Sequence, residues 1–414
     1  MTENNDFLTN SSLDVTQKGK QLREKILELI SEYHEISHNN NKFVPGKTIV
    51  PVSGKVYDDY DLQMLASSSL DFWLTSGRFN AAFENELGKF LKMNYVLTTN
   101  SGSSANLLAL TALTSNQFGK SALQEGDEVI SVAAGFPTTI NPILQNNLTP
   151  VFVDVEIPTY VINSKLIEKA ITDKTKALIL VTANGRYPVA GITAFEELCA
   201  ENGIVLIEDS AQSLGSFYPD GRHMGTAGKI GSFSFSMPKI ITTGQGGALI
   251  TNDDDLAFKL HRLKDFGRSG GGLDIHDSIG YNFKFTDLQA VIGIEQMKKL
   301  EYRVERKKEI LSLYRKLLES IPQVRFFEQD LKHTTPWFID VIAEDRDGLI
   351  KHLKNNGIGS RVMYPPINKQ EAYDLEGYHP VSEVIGRNGL WLPSANQLID
   401  EEVEHICGTI NSYY

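Results

Sequence analysis

A single lysine stands in the run Ser232-Phe-Ser-Phe-Ser-Met-Pro-Lys239-Ile-Ile-Thr-Thr-Gly244-Gln-Gly-Gly247. It follows an alternating apolar/small segment of strand type and precedes a glycine-dense turn. An amine held at a strand edge beside flexible backbone can form a Schiff base with an aldehyde. Taken alone, a surface lysine on an ordinary strand–turn explains the run as well.

Further clusters add chemistry. In Ile207-Glu208-Asp209-Ser210-Ala211-Gln212 an apolar strand ends in an acid. Ligands of open α/β sheets sit at the carboxyl ends of strands, where such a carboxylate could hold a pyridine nitrogen protonated. A helix-capping aspartate is the plainer explanation. In Thr98-Thr-Asn-Ser101-Gly-Ser-Ser-Ala-Asn106, a strand turns into a helix through small hydroxyl residues. Free amides at that helix start suit a phosphate, although an ordinary capped helix has the same look. Ala133-Ala-Gly-Phe136-Pro-Thr-Thr139 puts an aromatic just past a strand, placed to stack on a ring or to fill the core. Asn282, in Gly280-Tyr-Asn-Phe-Lys-Phe, occupies a turn. Together these clusters set a phosphate cradle, a stacking aromatic, an acid and a lysine at strand ends. That combination fits pyridoxal phosphate.

The elements that must position them alternate along the chain. Candidate strands are 95–99, 128–133, 151–155, 177–181, 204–208, 232–236 and 248–251, with helical patterns such as 105–113 and 166–171 between them. Such alternation predicts an α/β fold with a mostly parallel sheet covered on both faces. A leader (1–12) and a helical pattern over 13–34 come first, and residues 1–50 form an N-terminal segment. A large domain over 51–288 follows. Residues 289–414 make a long helix over 289–318, with charge on its outer face, and a smaller α+β domain.

Composition sets limits. At 414 residues, more than one core is expected. No apolar run approaches the roughly 18 residues of a membrane span. The polar N-terminus lacks a signal-peptide pattern. Two distant cysteines, Cys199 and Cys407, suggest neither a disulfide framework nor a metal site, which fits a reducing cytoplasm. A net charge of −12 opposes nucleic-acid binding.

On these motifs the chain, from about Val50 onward, resembles the DegT/DnrJ/EryC1/StrS family of sugar-nucleotide aminotransferases, which have the fold-type I, aspartate-aminotransferase-like architecture. The resemblance implies Lys239 as the Schiff-base lysine, Asp209 at the pyridine nitrogen, Gln212 near the ring oxygen and Phe136 stacked on the ring. It implies Ser103, Ser104 and Ser234 as phosphate ligands. Asn282 would reach the cofactor phosphate of a neighbouring subunit, in a homodimer with shared active sites. His276, Tyr364 and Arg268 lie where family substrates are contacted. Leu390-Trp-Leu-Pro-Ser394 matches the closing Leu-Pro motif. Two departures, Gln245 for glutamate and Lys284 near an expected arginine, bear on substrate contacts.

The N-terminal half is also similar to the CDP-4-keto-6-deoxyglucose 3-dehydratases, through Val52–Val56, Trp73–Phe79, Ser101–Leu110 and Ala134–Thr139. Those enzymes carry histidine at the position of Lys239, and cysteines for an iron–sulfur centre after their Phe-Gly-Arg segment. Here Asp265-Phe-Gly-Arg-Ser-Gly-Gly-Gly272 holds no cysteine. The implied function is amino transfer from L-glutamate to a keto-sugar nucleotide, with carbon 4 of a 6-deoxy sugar as the favoured position, in surface-polysaccharide or deoxyamino-sugar biosynthesis. A 3-dehydratase and a non-catalytic regulatory protein on the same scaffold are the alternatives.

Overall fold

All seven expected strands form, and they join one sheet. They are Tyr95–Thr99 (β1), Glu128–Val132 (β2), Thr149–Val153 (β3), Thr175–Val181 (β4), Val205–Asp209 (β5), Ile230–Ser234 (β6) and Gly247–Thr251 (β7). The computed structural model describes residues 16–38, 42–115, 122–270, 274–373 and 375–414. The expected leader at 1–12 lies outside them. The strand order is β1-β7-β6-β5-β4-β2-β3. Only β7 runs against its neighbours, pairing antiparallel with both β1 and β6. The other pairings are parallel. The carboxyl ends of β1, β2, β5 and β6 therefore share one edge of the sheet, where a binding crevice forms.

Helices Gly102–Leu113, Pro137–Gln145, Ser164–Ala170 and Ile192–Asn202 connect strands across the faces. Apolar residues of both faces pack beneath them, among them Leu97, Leu249, Ile130 and Leu178, each 0% exposed. A second sheet is antiparallel, in the order β10-β11-β9-β8. It comprises Val324–Phe326 (β8), Ile339–Ala343 (β9), Arg361–Val362 (β10) and Gly389–Leu392 (β11).

Two expectations need correction. The long helix divides at Lys299 into Asp287–Lys298 and Leu300–Leu317. Lys299 leaves helical geometry there (φ −99°, ψ 0°), and its amine pairs with Asp58 and Asp61. The charge on that segment is not all outward either. Arg303 and Lys307 are 2% and 3% exposed. Backbone carbonyls of Val56, Ile240, Trp337 and Ser394 satisfy them. The N-terminal helix spans Gln17–His38. Its apolar residues Leu22, Leu29 and Tyr33 are exposed, while Arg23 turns inward to Asp71.

Candidate active site

Strand alternation decides which acid of β5 faces the crevice. Glu208 points to the opposite side. There it accepts hydrogen bonds from the amides of Gly225, Ala227 and Gly228 and from the Tyr218 hydroxyl. Asp209, the last residue of β5, is 5% exposed and lines the cleft. Its Oδ2 accepts from Asn106 Nδ2 at 2.9 Å and from Thr139 Oγ1 at 2.6 Å. Among the described residues no cation forms an ion pair with it. A buried carboxylate without a counter-cation is costly. It fits a site that receives a protonated ring nitrogen.

The phosphate end of the cleft is a tight junction. Ser101 caps helix Gly102–Leu113, its Oγ accepting from the Ser104 amide at 3.0 Å. A Cβ on Gly102 would lie 2.7 Å from Ser234 Cβ. Only glycine lets the helix start approach the end of β6 so closely. Ser101, Gly102, Ser103, Ser234 and Ser236 line the cleft here. Helix-start amides and hydroxyls converge without a competing carboxylate, as a phosphate requires. Gly102→Ala should weaken pyridoxal phosphate binding about tenfold, since overpacking a rigid contact costs about 1–3 kcal/mol. Equilibrium dialysis checks this, and an unchanged affinity would contradict the cradle.

Lys239 follows β6 through the turn Met237–Pro238. It is partly exposed and lines the cleft, with its amine 3.8 Å from the Trp337 ring centroid. Desolvation pushes its pKa down to about 7, against the pull of Asp209 and with a smaller push from Arg361. Phe136 sits at the start of helix Pro137–Gln145, 41% exposed, its ring centroid 5.5 Å from that of Tyr364. Gln212 Oε1 accepts from the Asn184 amide at 2.7 Å. Burial raises the Tyr364 hydroxyl's pKa well above its ordinary value.

The cleft encloses about 260 Å³. It brings together Ser103, Phe136, Asp209, Gln212, Ser234, Lys239 and Tyr364. Ser104 lies beside it, bonded to Ser101. Arg268, His276 and Asn282 are not among its lining residues. Arg268 pairs with Asp265 and Asp274. His276 is exposed, its Nδ1 3.0 Å from the Phe266 carbonyl oxygen. Asn282 is exposed and bridges to Asp265 through the backbone. Sequence reasoning missed Asn106 and Thr139 as partners of Asp209, although both close the motifs that drew attention. It also missed Tyr160, Trp337 and Arg361, which line the cleft from distant parts of the chain.

The model of the DegT/DnrJ/EryC1/StrS aminotransferase family matches residues 57–411. The chain belongs to that family. Pyridoxal phosphate is the cofactor of this aminotransferase class, and the cleft residues suit it. The chain is 36% identical to the lipopolysaccharide biosynthesis protein RfbH of Salmonella typhimurium, over 96% of this chain and 99% of that protein. It is 35% identical to a GDP-perosamine synthase of Escherichia coli O157:H7, over 83% and 92%. It is 31% identical to a dTDP-4-dehydro-2,6-dideoxy-D-glucose 3-dehydratase of Saccharopolyspora spinosa, over 96% and 93%. Among solved structures, the aminotransferase PseC of Helicobacter pylori superposes with a TM-score of 0.81 at 25% identity, covering 89% of this chain and 99% of that one. The expected aspartate-aminotransferase-like fold of this DegT-family chain is borne out. No described helix is long and apolar enough to cross a membrane.

Proposed function

We propose that the chain transfers the amino group of L-glutamate to the keto group of a sugar nucleotide, with carbon 4 of a 6-deoxy sugar as the favoured position. The observation that carries this is the Lys239 amine facing the cleft, with Asp209 at the adjoining strand end. Similarity to GDP-perosamine synthase supports the substrate class. When bound, pyridoxal phosphate supplies the electron sink that lets a proton leave the donor's α-carbon.

The chain's residues do the rest. Lys239 Nζ accepts that proton as a neutral amine and later delivers one to the sugar carbon that gains nitrogen. Asp209, at the end of β5, would face the ring nitrogen of the bound cofactor. Phe136 would cover a face of the ring, and Gln212, held by the Asn184 amide, would lie near the ring oxygen. The hydroxyls of Ser103, Ser104 and Ser234 would hold the phosphate. In a homodimer, Asn282 would complete the neighbouring subunit's phosphate site, consistent with its exposure.

The amine is protonated below its pKa and neutral above it. In the cofactor-free protein burial lowers the Lys239 pKa to about 7, so activity should rise with pH across neutrality toward the range where the freed amine is neutral. Initial rates measured across that range check the sign. A profile flat through neutrality would contradict a lysine acting as base.

Similarity to the 3-dehydratase favours a second reading, deoxygenation at carbon 3. Lys239, in place of the histidine of the related dehydratases, weighs against it. Incubation with pyridoxal phosphate, L-glutamate and a panel of keto-sugar nucleotides, followed by mass spectrometry, separates the two. An amino sugar supports the proposal, and a 3-deoxy sugar overturns it. Failure to take up the cofactor would favour a non-catalytic role.

A further inference from the structure

Trp337 precedes β9 in the second sheet yet reaches the lysine of the first. It is 3% exposed, and its ring centroid lies 3.8 Å from Lys239 Nζ. Its indole N–H donates to the Pro238 carbonyl at 2.7 Å, gripping the turn that carries Lys239. Two devices hold it there. The Lys307 amine donates to the Trp337 carbonyl at 2.8 Å and to the Ser394 carbonyl. Asn184 Oδ1 accepts from the amides of Trp337 (2.6 Å) and Phe338 (2.7 Å). Asn184 has φ 53°, a left-handed conformation that asparagine tolerates better than most residues. Its own amide donates to Gln212 Oε1 at 2.7 Å. One residue thus links Gln212 to the aromatic beside Lys239.

We propose that Trp337 is a positioning residue for Lys239, tethered by Asn184 and Lys307 so that its ring shields one side of the amine from water. The proposal rests on Lys239 being the reacting amine. The charged and titratable groups around that amine are Asp209 at the end of β5, Arg361 on β10 and Tyr364 beyond it. Arg303 and Lys307 stand behind it, lining a small void of about 10 Å³ that also touches Lys239. Shielding disfavours the charged amine, whereas cation–π attraction favours it. Burial of the site as a whole pulls the Lys239 pKa down against Asp209, and the proposal assigns part of that burial to the Trp337 ring.

The test labels cofactor-free protein with limiting acetic anhydride between about pH 5.5 and 10, and reads Lys239 acetylation by mass spectrometry. The wild-type midpoint should lie near 7. In Trp337→Ala, water reaches the amine and the midpoint should rise by about one pH unit or more. Trp337→Phe keeps a ring over the amine and should stay within about half a unit of wild type. An unchanged midpoint in folded Trp337→Ala overturns the proposal. If that variant does not fold, Asn184→Ala releases the tether and should also raise the midpoint, and no rise there overturns it. Wild-type protein that takes up no pyridoxal phosphate would count against the functional reading instead, because the labelling needs no cofactor.

Discussion

Lys239→Ala should lose amino transfer by about 10⁴-fold, the upper end of what a positioned proton carrier contributes. It should also fail to retain pyridoxal phosphate through gel filtration, because the lysine amine that lines the cleft after β6 is gone. The fold should survive. Among the described residues Lys239 forms no ion pair, and its backbone bond to the Ser236 carbonyl does not depend on its side chain. Absorbance of the purified protein and coupled product detection check both parts. A variant that aminates a keto-sugar nucleotide as fast as wild type would mean that another group moves the proton.

Asp209→Ala should lower turnover by about 10²–10³-fold, the usual effect of removing one preorganised electrostatic partner. Asp209→Asn should be almost as slow. It keeps the size of the side chain and can still accept from Asn106 or Thr139, but it has no charge to offer a ring nitrogen. Both variants should also move the rising limb of the pH profile to lower pH. Burial is the main force lowering the Lys239 pKa, and Asp209 opposes it. Without the carboxylate, the amine loses its proton more readily. Asp209→Asn with wild-type turnover would show that the residue is only a scaffold for Asn106 and Thr139.

The sheet was legible because each strand is a short apolar run bounded by turn residues, and such runs keep their identity whatever packs on them. The cleft residues at strand ends were legible for the same reason: Asp209 and Ser234 close their strands, and Ser103, Phe136 and Lys239 come a few residues after theirs. Trp337 and Arg361 were not, because the contact of Trp337 with Lys239 joins positions far apart in sequence. Local pattern carries no trace of it. The segment after Asp287 misled for a related reason. Lysine and arginine at helical spacing usually face water, but Arg303 and Lys307 find backbone carbonyls inside the fold. Arg268 and His276 take part in local pairings, Arg268 with Asp265 and Asp274, and neither is among the residues lining this chain's cleft.

The most direct test of the central claim is borohydride reduction of the pyridoxal-phosphate-loaded protein, followed by peptide mapping. The cofactor should be fixed on the peptide that contains Lys239, and on no other. A label on a different lysine, or no label on a protein that still transfers amino groups, would contradict the assignment of Lys239 as the reacting amine.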